Sequence, residues 1–138
     1  MFEQCLYFNT TSLARQVERQ WTQAFKPFGL TPSQAFMLRV VLDKAPLLAR
    51  EISEELNISR PTATRGLDHL ERMGYIKRVI SDKDAREQEI HPTASSLEIK
   101  ADLNAASSEV TKRMKKLLGT NEFESVVTQM RSITSALK

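Results

Sequence analysis

The chain has 138 residues, 41% of them hydrophobic, which is enough for one compact core and too few for two comfortable domains. No run approaches the roughly 20 consecutive apolar residues of a membrane-spanning helix, and the opening MFEQCLYFNTTSLARQ lacks the basic, apolar and cleavage regions of a signal peptide, so a cytoplasmic protein with no membrane partner is expected. The formal net charge of +3 permits polyanion binding without demanding it, and the single cysteine, Cys5, excludes an internal disulfide.

From Asn9 to Lys26, Leu13, Val17, Trp21 and Phe25 recur every fourth position among charged and polar residues, which predicts a long amphipathic helix ending before Pro27 and Gly29. A second helix, to about Lys44, has Thr31 as N-cap, Pro32 at its first position and Gln34 three residues after the cap. A short third helix, about Leu48 to Leu56, carries Leu48, Ile52 and Leu56 on one side and stops at Asn57, a residue that tolerates the left-handed conformation. Ser59 then caps a fourth helix with Pro61 in its first turn and Gly74 beyond its end. YIKRVIS and EQEIHPT are β-compatible runs around the polar stretch DKDAR, which predicts a hairpin with an exposed tip. Two helices follow, one carrying Leu103, Ala106, Val110, Met114 and Leu117, the other Phe123, Val126, Val127, Met130, Ile133 and Leu137.

The fold class is therefore mainly α with a small β-hairpin wing. Residues 31–93 form a compact central segment, while about 1–28 and 94–138 carry apolar stripes that a unit of this size cannot easily bury alone. An isologous homodimer, in which those terminal helices make a dimerisation lobe, covers them and leaves one domain spanning 1–138.

The fourth helix raises a question of charge. Its dipole favours anions at its start, yet Arg60 and Arg65 are there instead. At 100° per residue Ala63, Leu67, Leu70 and Met73 share one side, while Arg60, Pro61, Thr64, Arg65 and Asp68 form an outward stripe. Hydroxyls and guanidinium groups in the first two turns can donate to phosphate oxygens and to guanine N7 and O6. Free backbone N–H groups near Ser59, Arg60 and Thr62 would add to phosphate binding. The missing anion is then the DNA backbone, and the third and fourth helices make a helix-turn-helix whose second member enters the major groove. Each residue taken singly has a plainer reading, as a cap, a helix starter or a solvated charge; the combination, followed directly by a hairpin, points to double-stranded DNA. In the hairpin tip Arg86 can reach a minor groove, Asp84 pairs with Arg86 to hold it, and Lys83 contacts the backbone.

These residues resemble the MarR family of bacterial winged helix-turn-helix regulators over nearly the whole chain. The resemblance rests on LTPSQAFML, on ISRPTATRGLDHLERMGYIKR, and on DKDAREQEIHPT, which is similar to the family's wing signature D-x-R followed by five residues and Leu-Thr. Asp84, Arg86 and Thr93 fit that signature; Pro92 stands where Leu is usual, and Ser96 where glycine often follows as T-x-x-G, which leaves the start of the fifth helix open. The resemblance implies an obligate dimer whose terminal helices form the dimer lobe, a transcriptional regulator, most often a repressor, on a pseudo-palindromic operator. It assigns Ser59, Arg60, Pro61, Thr62, Thr64 and Arg65 to the major groove and its phosphates. It further implies release by a small aromatic or phenolic ligand bound between the lobes, or by oxidation of a cysteine. Cys5 is similar in position to the sensing cysteine of the family's organic-hydroperoxide branch, with Tyr7 and Tyr75 as partners by residue type; as a lone terminal cysteine it also reads as a small hydrophobe packed against the dimer lobe. Phe8, Trp21, Phe25 and Phe28, on or beside the first helix, are candidates for a ligand pocket, although aromatic residues so placed are more often core.

Other functions fit less well. His69, His91 and Cys5 are isolated, so no metal site or cofactor is expected. There is no phosphate loop, nucleophile elbow or carboxylate pair in an evident cleft, and Glu54–Glu55 and Asp82–Asp84 read as solvated charge, so no enzymatic activity is expected. The alternative from another class is a winged-helix protein-interaction module without specific operator binding, which would not need Arg60, Arg65 and Arg86 where they are.

Overall fold

The computed structural model describes residues 1–138, in the order α1 (Leu6–Phe25), a 3-10 turn (Lys26–Phe28), α2 (Pro32–Lys44), β1 (Leu47–Leu48), α3 (Ala49–Leu56), α4 (Arg60–Arg72), β2 (Ile76–Ile80), β3 (Gln88–Pro92), α5 (Ala94–Leu118) and α6 (Thr120–Ala136). The fold is mainly helical with one small antiparallel sheet, ordered β1-β3-β2.

Most boundaries follow local chemistry. Thr31 Oγ1 accepts from Gln34 N–H while the Gln34 side chain accepts from Thr31 N–H, a reciprocal cap that fixes the start of α2. Asn57 is left-handed at φ 56° and ends α3. Ser59 caps α4, accepting from Thr62 N–H. The start of α5, open in the sequence, falls at Ala94, where Thr93 and Ser96 cap one another. Ser96 is fully buried, so the hydroxyl in place of the usual glycine serves the helix start.

Two boundaries differ from expectation. Helix α1 begins one turn before Asn9, whose side chain donates back to the carbonyls of Cys5 and Glu3 instead of capping forward. The third helix starts at Ala49, because Leu47 and Leu48 form a third strand, paired Leu47 with Ile90 and Leu48 with Glu89. Two residues show no alternation, so this strand has no periodic signal.

The core gathers Leu38 and Val41 of α2, Ile52 of α3, Ala63, Leu67 and Leu70 of α4, Ile76 of β2 and Ile90 of β3, all at most 2% exposed. Phe25 of α1 and Leu103 of α5 are fully buried in the same cluster, so the inner ends of the outer helices pack on the central unit. A polar junction fastens them: Trp21 Nε1 and Arg39 Nη1 both donate to Ser107 Oγ, at 3.1 and 3.0 Å, and Arg39 Nε donates to Asn104 Oδ1 at 2.8 Å. Between α2 and α4 a Cβ on Gly66 would lie 2.7 Å from Met37 Cε, so glycine leaves room there for the end of the Met37 side chain. The outer ends are different. Helix α6 buries no residue, and Val126, Met130 and Ile133 are each about two-fifths exposed. Leu6, Tyr7, Leu13, Leu117 and Leu118 are exposed as well.

Candidate nucleic-acid interface

The first two turns of α4 carry an exposed ladder of donors. Ser59 Oγ donates to Thr62 Oγ1 at 2.8 Å, and Arg65 Nη2 donates to the same Thr62 oxygen at 3.2 Å. Ser59, Arg60, Pro61, Thr62, Thr64 and Arg65 are all exposed, whereas Ala63 and Leu67 are buried beneath them. Neither Arg60 nor Arg65 takes part in an ion pair. One expectation needs correction. The Thr62 N–H is not free for phosphate, because the Ser59 cap uses it; the N–H groups of Ser59 and Arg60 remain without a partner in the chain.

The wing tip is organised by Asp84. Its carboxylate accepts from Arg86 Nε at 3.2 Å, from Arg86 Nη2 at 3.3 Å and from the Arg86 backbone N–H at 3.0 Å. These bonds, the side-chain ones first, hold its carboxyl below the usual aspartate range, so it stays ionised at neutral pH. The Arg86 side chain is 91% exposed, and Lys83 is exposed beside it. The neck of the wing tip is tied to α3, where Arg50 Nη1 donates to Glu87 Oε1 at 2.8 Å.

Comparison with known proteins fits this arrangement of helix and wing. A family model described as the MarR family matches residues 28–87. The HTH-type transcriptional regulator MgrA of Staphylococcus aureus is 33% identical over 106 residues, which span 76% of this chain and 72% of that regulator. The chain belongs to the MarR family. Among solved structures, a DNA complex of S. aureus MepR matches with a TM-score of 0.87 over 97% of this chain and 99% of that one, at 20% identity. The transcriptional repressor CouR, bound to a 23-mer DNA duplex, matches with a TM-score of 0.84 over 96% and 94%, at 24% identity. At these identities the structures speak for the winged-helix fold, and the family is one of DNA-binding transcriptional regulators.

Within this MarR fold, several residues outside the expected set bear on the interface. Arg78 of β2 reaches across to α4, donating through Nη2 to Asp68 Oδ1 at 2.9 Å and through Nη1 to Glu71 Oε1 at 2.8 Å. The sequence did hold a signal for it: an arginine two residues after the buried Ile76, on the same face of a strand. Arg50 and Glu87, 37 residues apart, gave no such signal. Cys5 is exposed at the N-cap position of α1. Tyr75, a partner by type, turns its hydroxyl to the Phe28 carbonyl at 3.4 Å. Of the four pocket aromatics, Phe25 is core, Trp21 and Phe28 pack against the core, and Phe8 is 45% exposed. A hollow of about 480 Å³ beside α4 has Phe36, Met37, Leu56 and Ile58 on its apolar side and Thr62 and Arg65 among its polar residues.

Proposed function

We propose that the protein binds a pseudo-palindromic operator as a homodimer, represses transcription there, and is released by a small effector or by oxidation. The observation that carries the reading is the exposed Ser59–Thr62–Arg65 ladder at the start of α4, next to an Arg60 without a carboxylate partner. A helix start rich in donors and poor in acids suits phosphate and the acceptor edges of the major groove. Ser59, Arg60, Pro61, Thr62, Thr64 and Arg65 are assigned to that groove, Arg86 to the minor groove under the hold of Asp84, and Lys83 to the phosphates. The DNA-bound state of MepR and CouR supports this assignment by analogy. Residues 31–93 act as the winged-helix unit and the helices at either end as the dimer lobe, which is supported by the uncovered apolar stripes on α1, α5 and α6.

For the signal, the hollow beside α4 offers an apolar wall and the Arg65 guanidinium together, which suits an aromatic or phenolic anion. Cys5 oxidation is the second route, supported by the exposure of that residue.

The test is selection of bound duplexes from random-sequence DNA, repeated with salicylate and with an organic hydroperoxide. A palindrome with half-sites about one helical turn apart is expected, and whichever treatment abolishes enrichment identifies the signal. No enriched sequence at moderate salt would favour a protein-interaction module. Arg86→Ala should weaken operator binding by about 1 to 3 kcal/mol per half-site and relax preference at the operator flanks, read by titration against the selected sequence and its flank variants. Unchanged affinity and preference would remove Arg86 from the interface.

A further inference from the structure

The two acidic residues of α4, Asp68 and Glu71, sit on the helix that carries the proposed DNA-binding ladder. Asp68 follows Arg65 by three positions, the spacing at which side chains on a helix meet. A free Asp68 carboxylate would pair with Arg65 and set a negative charge close to the DNA phosphates. In the structure it does neither. Asp68 is taken by Arg78 Nη2 at 2.9 Å, Glu71 is taken by Arg78 Nη1 at 2.8 Å, and Arg65 points the other way, donating to Thr62 Oγ1 at the helix start.

Arg78 occupies an unusual place for a charge. It lies opposite Ile90 in the sheet and shares a strand face with Ile76, both of them core residues, and its side chain is only 18% exposed. The aliphatic stem lies along the apolar surface while the fork meets two carboxylates that are themselves about half exposed. Two charge-assisted hydrogen bonds from one planar group fix both acids in direction, which a lysine, as a point charge, would not do. With two of its five N–H donors bound to these acids and its side chain only 18% exposed, Arg78 is poorly placed to meet DNA itself.

We propose that Arg78 is a positioning residue for DNA recognition: it holds Asp68 and Glu71 toward the sheet, so that Arg65 has no carboxylate to pair with and stays available to DNA. This rests on the reading of α4 as the DNA-binding helix. It also links the wing to that helix, since Arg78 belongs to the wing strand β2.

The experiment compares the full-length parent with Arg78→Met, Asp68→Asn and the double variant Arg78→Met/Asp68→Asn, on the duplex that the parent enriches from random DNA, over a range of salt concentrations. Arg78→Met should bind about tenfold or more weakly. Asp68→Asn alone should stay within a few-fold of the parent. The double variant should recover to within a few-fold, with the parental slope of log affinity against log salt. If removing the Asp68 charge restores nothing, Arg78 serves packing alone and the proposal fails. If the double variant keeps a slope shallower by about 0.9 for each phosphate that is no longer neutralised, Arg78 meets phosphate directly and the proposal also fails. Thermal unfolding accompanies each variant; should Arg78→Met not fold, Arg78→Lys and its Asp68→Asn double replace it, with the same rescue expected and the same failure decisive. A parent that enriches no sequence would overturn the DNA-binding reading, and this assignment with it, whereas enrichment by the parent without rescue would overturn the assignment alone.

Discussion

Replacing Ile133 by aspartate is expected to separate the proposed dimer and with it abolish binding to the selected operator. Ile133 lies with Val126 and Met130 on one stripe of α6, each about two-fifths exposed in the single chain, and this 17-residue helix buries no residue of its own. In proteins most of a helix's stability comes from packing of its amphipathic face rather than from propensity. Its only substantial neighbour within the chain is α5. In the proposed isologous interface each Ile133 would meet the partner's stripe, and a carboxylate buried there without a counter-ion would cost about 3 kcal/mol or more. Because the substitution acts in both copies, the dimer loses roughly 6 kcal/mol, about four orders of magnitude in its dissociation constant. Sedimentation velocity at micromolar protein should then report a monomer, and the selected operator should no longer be retained. If the variant sediments and binds like the parent, the α6 stripe is not the contact between copies.

The second large effect is expected for Arg65→Ala. Its guanidinium is exposed, bonds only the Thr62 hydroxyl and faces outward from a helix whose other side is core. A bidentate arginine contact to a base edge is worth about 1 to 3 kcal/mol, and each dimer presents two such residues, so the total loss is about 2 to 6 kcal/mol. That corresponds to roughly thirtyfold weaker binding at the least. Discrimination at one position of each half-site should fall as well. Stability should change by no more than about 0.5 kcal/mol, as is usual for exposed sites without a buried partner. A titration in which Arg65→Ala matches the parent in affinity and base preference would transfer the first turns of α4 to protein contacts. Arg65→Ala also separates the two roles given to this side chain: loss of DNA binding reports its place on the helix face, and loss of salicylate binding to the free protein reports its place in the hollow beside α4.

The difference between what was legible along the chain and what was not follows sequence distance. Caps, turns and apolar stripes are local, made by residues three or four apart, and so Thr31 with Gln34, Asn57, Ser59 and the α4 core stripe of Ala63, Leu67 and Leu70 could be read directly from residue order. The outward hydroxyl and guanidinium stripe on α4 is the reverse side of that periodicity, and the Asp84–Arg86 pair spans two residues, so both candidate elements of the interface are legible in the residue order. Strand β1 was not, since two residues have no period and their pairing depends on Ile90 and Glu89, some forty positions away. The same holds for the Arg39–Ser107–Trp21 junction, for Arg50 with Glu87 and for Arg78 with Asp68 and Glu71. Each is a charged or polar group whose orientation is set by elements meeting in space, because a hydrogen bond depends on where two backbones bring their side chains and not on the spacing of residues along either one. Residue order was thus enough to outline the winged helix and the face it turns outward, while the fold assigned the partner of each charge and thereby which arginines were left free to face DNA.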